Sequence, residues 1–144
     1  MLDTTAERYE PLNSEIRDGM RIDWDGPIKM DDGIVLRADV FRPIKDGRYP
    51  GLITYGPYGK GLSFQQGYPI QWERLVLEHP DVAAGSTNKY QNWETVDPEK
   101  WVPDSYVCIR VDSRGAGRSP RPEASSGGGT RTHNLDLNRV LLCH

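Results

Sequence analysis

The chain has 144 residues, 36% of them hydrophobic and 27% charged, with a mean hydropathy of −0.68. That is material for one domain at the polar end of globular composition. Eighteen Lys and Arg against 21 Asp and Glu leave a net charge of −3, which excludes a general attraction to nucleic acid or to an anionic membrane surface.

No apolar run approaches the ~20 residues that span a bilayer. Residues 1–7 hold neither a basic nor an apolar leader stretch, so a cytoplasmic protein is expected. Residues 1–20 show no sustained period and read as an extended lead-in. From Ile22 the pattern changes. Ile22, Trp24 and residues 28–30 form a loosely alternating strand that Gly26-Pro27 interrupts. Asp31-Asp32-Gly33 is a turn signal. Beyond it Ile34, Leu36, Ala38 and Val40 alternate with Val35, Arg37, Asp39 and Phe41. A period of two predicts a half-buried antiparallel strand, ended by Pro43. After the Lys45-Asp46-Gly47 turn, the apolar run 49–55 has the length of a buried central strand.

Trp72, Leu75 and Val76 fall at helical spacing within 70–78, just before Pro80, and predict a short amphipathic helix. His79, at its end, reads as a surface residue near the last carbonyls. Residues 80–96 read as loop. Asp97-Pro98-Glu99 is a helix start, with a capping carboxylate and proline in the first turn; Trp101 and Val102 supply its apolar face. Residues 106–111 are a second buried strand, in which Cys108 reads as a buried thiol. A glycine-bearing loop runs from Asp112 to Ser119. Strands alternating with helices predict an α/β fold: a mostly parallel sheet with an antiparallel N-terminal hairpin. Two regions are expected, 1–120 as the domain and 121–144 as a tail. Ser125-Ser126-Gly127-Gly128-Gly129 marks the tail as an unrelated, Gly/Ser-rich and disordered segment.

Three pieces carry chemistry. The first combines Asp32-Gly33, Leu36, Ala38-Asp39 and Arg42-Pro43. The second is Tyr55-Gly56-Pro57-Tyr58-Gly59-Lys60. The third is Asp112-Ser113-Arg114-Gly115-Ala116-Gly117-Arg118-Ser119. In this order and spacing they resemble the N-terminal part of the X-Pro dipeptidyl-peptidase / cocaine-esterase (CocE/NonD) family of serine hydrolases. The resemblance covers residues 7–119.

It implies an α/β-hydrolase fold and acyl transfer from an ester or amide, possibly an X-Pro peptide, through an acyl-serine. The substrate would be a small molecule or peptide. In this fold the triad follows the order Ser, Asp, His, with the serine in G-x-S-x-G. All three would then lie beyond Ser119, and the chain is expected to be truncated before the nucleophile elbow and inactive by itself. Gly61-Leu62-Ser63 lacks the second glycine of an elbow, and Pro120-Arg121 follow Ser119 in place of one. The resemblance gives Tyr58 one role, donation of its hydroxyl to the oxyanion. Such a donor lowers the barrier by roughly 3–4 kcal/mol.

The plainer readings are these. Tyr58 could be a turn aromatic packed on the sheet. Asp112 beside Arg114 reads as a charge-assisted loop staple, with Gly115 and Gly117 permitting the turn. The four tryptophans read as core and loop anchors. Gly59-Lys60-Gly61 lacks the spacing of a phosphate loop, and no Cys/His set has zinc spacing; no cofactor or metal is expected. Two alternatives from other classes remain: a non-catalytic partial hydrolase domain that binds a partner, and a free-standing β-rich binding module.

Overall fold

A computed structural model describes residues 13–121. The expected tail, with His133, Cys143 and His144, lies outside the described residues. A five-stranded sheet runs in the order β1-β2-β3-β5-β4. Its strands are β1 Asn13–Arg17, β2 Met20–Lys29, β3 Val35–Arg42, β4 Gly51–Gly56 and β5 Val107–Asp112. Between β4 and β5 lie α1 Phe64–Gly67, α2 Pro69–Glu78, a single 3-10 turn at Pro80–Val82, and α3 Pro98–Trp101.

The fold is the front of an α/β-hydrolase-type sheet, with the balance of directions shifted. β4 and β5 pair in parallel. The pairs β1–β2, β2–β3 and β3–β5 are antiparallel. The sequence pattern assigned β3 only to a hairpin. In the structure the long β4-to-β5 connection sets β5 between β4 and β3, so β3 gains a second antiparallel neighbour. Parallel neighbours need such a crossover. Among the described residues β4 is therefore an outer strand and only half-buried, in place of the central strand its apolar run suggested.

The lead-in is also more ordered than expected. Asp18 and Gly19 both have positive φ, 50° and 76°, and their two-residue turn pairs β1 with β2 from Arg17↔Met20 to Asn13↔Trp24. An Asp-Gly pair at such a turn is the favoured chemistry. The interruption in β2 is a bulge and not a break. The register shifts between Asp23 and Gly26, and Asp25 there has φ 52°.

One extra residue flips the side-chain alternation. Before the bulge, Met20 and Ile22 join Phe41, Tyr90, Val102 and Cys108 on one face. After it, Ile28 joins Leu36, Ala38, Val40, Ile109 and Val111 on the other. Both faces of β3 are thus covered, where a half-buried strand was expected. Pro27 falls beyond the stretch that β1 covers, so its missing N–H costs no ladder bond.

α2 and α3 sit where the sequence placed them, while α1 and the turn at Pro80–Val82 lie outside the expected helices. α2 ends at His79, whose backbone N–H donates to the Leu75 carbonyl and whose side chain is exposed. Asp97 caps α3 by accepting from the Glu99 N–H. Val102 is buried as expected, but Trp101 is largely exposed and meets the ring of Tyr106 edge-on at 5.2 Å. Four residues make too short a helix to bury both.

Cys108 is a buried free thiol. Burial pushes its pKa up to about 11 from 9.0; Arg110 opposes that rise and Asp97 adds to it. The unfolded thiol therefore loses its proton before the folded one does, and stability is lost as pH rises from about 9 to 11. Cys108→Ala is expected to flatten that part of the stability–pH curve, measured by denaturant titration at each pH. An unchanged slope would count against the assignment.

Candidate functional site

The site is built where the ends of β4 and β5 meet. β4 finishes at Gly56, and Pro57-Tyr58-Gly59-Lys60 turns away from the sheet. β5 finishes at Asp112, followed by the loop to Ser119. Asp112 fastens the two loops together. Only 1% exposed, its carboxylate accepts from the Lys60 N–H at 2.7 Å and the Arg118 N–H at 2.8 Å. Gly117, at φ 49°, lies so close to that carboxylate that a Cβ would overlap it. Gly115 has φ 73°.

The expected pairing of Asp112 with Arg114 does not form. Arg114 instead reaches Asp32 in the β2–β3 turn at 2.5 Å. The two side chains still staple the loop, but to different places: charge-assisted bonds go to the donor that the fold brings near, not to the neighbour in sequence.

Lys60 is the centre of a charge cluster that the sequence motifs did not reveal. Its ammonium stands 2.5 Å from Asp25 Oδ1, 3.0 Å from Asp39 Oδ1 and 3.9 Å from Asp112 Oδ2. Its side chain is 6% exposed. Arg118 adds a second cation, 2.6 Å from Asp25 Oδ2, and the Asp25 N–H donates to Asp39 Oδ1 at 2.9 Å. The bulge in β2 makes this possible, because the added residue turns Asp25 toward Lys60.

Burial works against the Lys60 charge, but the hydrogen bonds and charges of Asp25 and Asp39 outweigh it and hold its pKa above the usual value. For Asp39 burial dominates, and its pKa is raised despite the Asp25 N–H and Lys60. A lysine surrounded by carboxylates offers nothing to a phosphate. One signal could have found the cluster: Asp39 lies in a strand flanked by Ala38, Val40 and Phe41, and a carboxylate buried there needs a cation.

Tyr58 projects beside an open concavity of about 210 Å³. Thr54, Tyr55 and Gly56 of β4 line it, with Tyr68, residues 92–95 and Arg110. The Tyr58 ring is 44% exposed and meets Tyr68 edge-on at 6.5 Å. Tyr68 in turn lies on Trp93 at 4.5 Å, and Phe64 meets both Trp93 and Trp72. Trp93 thus anchors its loop against Phe64 and Tyr68, Trp72 does so from α2, and Trp24 of β2 packs edge-on against Phe41 of the core. Tyr58 thus lines an aromatic-walled hollow while its ring packs on Tyr68.

Two serines near the loops are committed elsewhere. Ser119 is buried, donates to the Asp112 carbonyl at 2.6 Å and accepts from the Arg37 N–H at 3.0 Å. Ser63 caps α1 by accepting from the Gln66 N–H. His79, the one histidine among the described residues, stands at the end of α2.

Residues 32–120 match the sequence profile of the X-Pro dipeptidyl-peptidase (S15) family. The match takes in both loops, the strands that carry them and more than half of the chain. The chain belongs to the X-Pro dipeptidyl-peptidase (S15) family. No curated protein matches it. Two crystal structures of a CocE/NonD family hydrolase from Staphylococcus aureus are similar to it. One is 31% identical over 69% of this chain, with a TM-score of 0.52. The other is 28% identical over 78%, with a TM-score of 0.56.

The chain spans only 16% and 20% of the lengths of those two structures. Within this S15 hydrolase family, the segment in hand is a sheet front and two stapled loops. No helix among the described residues is long and apolar enough to cross a membrane.

Proposed function

We propose that this chain supplies the oxyanion-binding front of a serine hydrolase that cleaves esters or amides, X-Pro peptides among them, through an acyl-serine. The observation that carries the proposal is Tyr58 lining the concavity, on a loop fastened to β5 through Asp112. A donor pre-positioned at the site of developing charge stabilises the tetrahedral transition state more than the ground state.

The substrate carbonyl would lie in the hollow, its oxygen toward Tyr58, its apolar part against Tyr68 and Trp93. The nucleophile, its base and the orienting acid would come from outside the described residues: Ser63 is committed as a cap and Ser119 as a staple, and His79 stands exposed at the end of α2. The chain alone is then inactive. A cytoplasmic setting suits the buried free thiol of Cys108.

The test transplants residues 13–121 into the matching segment of the S. aureus hydrolase and follows cleavage of an aryl ester and an X-Pro anilide. The chain alone should show no turnover, and the chimaera should turn over. Tyr58→Phe in the chimaera should lower kcat by about 10²–10³ with little change in KM. Turnover by the chain alone would overturn its inactivity. A chimaera indifferent to Tyr58→Phe would remove the oxyanion role.

A further inference from the structure

Tyr58 lies between two fixed points of the backbone. Upstream, Gly56 is the last residue of β4 and pairs with Asp112 of β5. Downstream, Lys60 is held at every polar group it has. Its N–H donates to Asp112 Oδ1 and its carbonyl accepts from Asn92 Nδ2 at 2.6 Å. Its ammonium sits among the carboxylates of Asp25, Asp39 and Asp112. Three residues span the gap. Pro57 has a fixed φ, and Gly59 lies beside Gly117, where a Cβ would make an ordinary contact at 3.7 Å with its Cα. The fixed ends and Pro57 limit where the residue between them can go.

We propose that Lys60 is a positioning residue, clamped by Asp25, Asp39, Asp112 and Asn92 so that the loop 57–59 holds the Tyr58 hydroxyl at the rim of the concavity. The proposal rests on the oxyanion reading of Tyr58 for its purpose, but not for its geometry.

The clamp joins four separate pieces of chain: the β2 bulge, β3, the end of β5 and the loop at Asn92. Three buried carboxylates facing one ammonium and one partly exposed guanidinium are a poor way to gain stability, since apolar side chains of similar volume often serve as well. Such groups are best attested as devices that select one arrangement of the chain. Here the arrangement selected is that of the loop whose tyrosine faces the hollow. The ammonium reaches carboxylates on β2, β3 and β5 together, so a shift of the loop relative to any one strand would break an ion pair.

The test uses the whole 144-residue chain labelled with 3-fluorotyrosine and needs no turnover. The Tyr58 fluorine resonance is assigned by its loss in Tyr58→Phe. Tyr49, whose hydroxyl bonds the Lys45 carbonyl outside the clamp, serves as the internal reference. In Lys60→Met the Tyr58 line is expected to split or to broaden about twofold or more, from exchange among loop positions, while the Tyr49 line stays. A Tyr58 line that keeps its shift and width in folded Lys60→Met overturns the proposal.

If Lys60→Met does not fold, Asn92→Ala decides, because it releases only the Lys60 carbonyl and leaves the charges intact. Movement of the Tyr58 line alone supports the clamp, and no movement overturns it. In the chimaera, Lys60→Met should lower kcat about tenfold while KM stays within about twofold. A chimaera that ignores Tyr58→Phe while the resonance still answers to Lys60 would end the oxyanion reading and leave the clamp standing.

Discussion

Gly117→Ala is expected to destabilise the chain by about 2.5–5 kcal/mol, although it adds one methyl group in a surface loop. Two costs combine. The residue has φ 49°, a left-handed conformation that costs an L-residue with a Cβ roughly 1–2 kcal/mol. The new Cβ would also overlap the Asp112 carboxylate. That carboxylate cannot move freely, because it holds the Lys60 and Arg118 N–H groups, and a lost charge-assisted bond is worth about 1.5–3 kcal/mol.

Gly115→Ala is the control. Its φ is also positive, at 73°, but its Cβ would meet only the flexible side chain of Arg121. It should cost about 1–2 kcal/mol. Denaturant unfolding of the two variants separates the causes. Equal losses would show that backbone strain is the whole effect and that the Asp112 staple relaxes.

Phe41→Ala should destabilise by about 3–5 kcal/mol, as large-to-small changes of buried aromatics do. Phe41 is 1% exposed and meets Trp24 edge-on at 5.7 Å and Tyr90 at 5.4 Å. The guanidinium of Arg110 lies 5.1 Å from its ring centroid. Burial already lowers the Arg110 pKa to about 10, so removing the ring takes from a desolvated cation one of its few compensations. The same guanidinium donates to the carbonyls of Tyr90 and Val96, which bracket the Asn92 and Trp93 beside the candidate site. Phe41→Leu keeps most of the volume and should cost about 1–2 kcal/mol. If both variants lose the same amount, bulk contributes nothing and the ring-specific contacts carry the whole effect.

The motifs point to the ends of β4 and β5. Tyr58 was singled out by its segment, and Gly115 and Gly117 were read as turn-permitting. The residues around them were less legible. In sequence Lys60 reads only as part of an incomplete phosphate loop, nothing marks Asp25, and Asp112 stands beside Arg114 although its carboxylate accepts from the backbone N–H groups of Lys60 and Arg118. Each gap has the same origin. A carboxylate in sequence names no partner, and the partners of Asp112 lie at Lys60 and Arg118, 52 and 6 residues away.

The sequence by itself determined the local elements. Asp-Gly turns, the period of two in residues 34–42 and the capped start at Asp97 each depend on a few neighbouring residues. Local backbone preferences suffice for them. Even the missed turn at Asp18-Gly19 had its signal in two adjacent residues. The family too was readable from three short motifs.

Tertiary structure alone decided the sheet order, the phase of β2 and the charge cluster. β5 lies between β3 and β4 because a long crossover returns the chain there, and no residue in either strand encodes that order locally. The bulge that turns Asp25 inward exists because β2 must present Ile22 to one core and Ile28 to the other. Only then do carboxylates from three strands converge on one buried ammonium. Coulomb energy and desolvation depend on distance in space, which the folded chain sets and the order of residues does not.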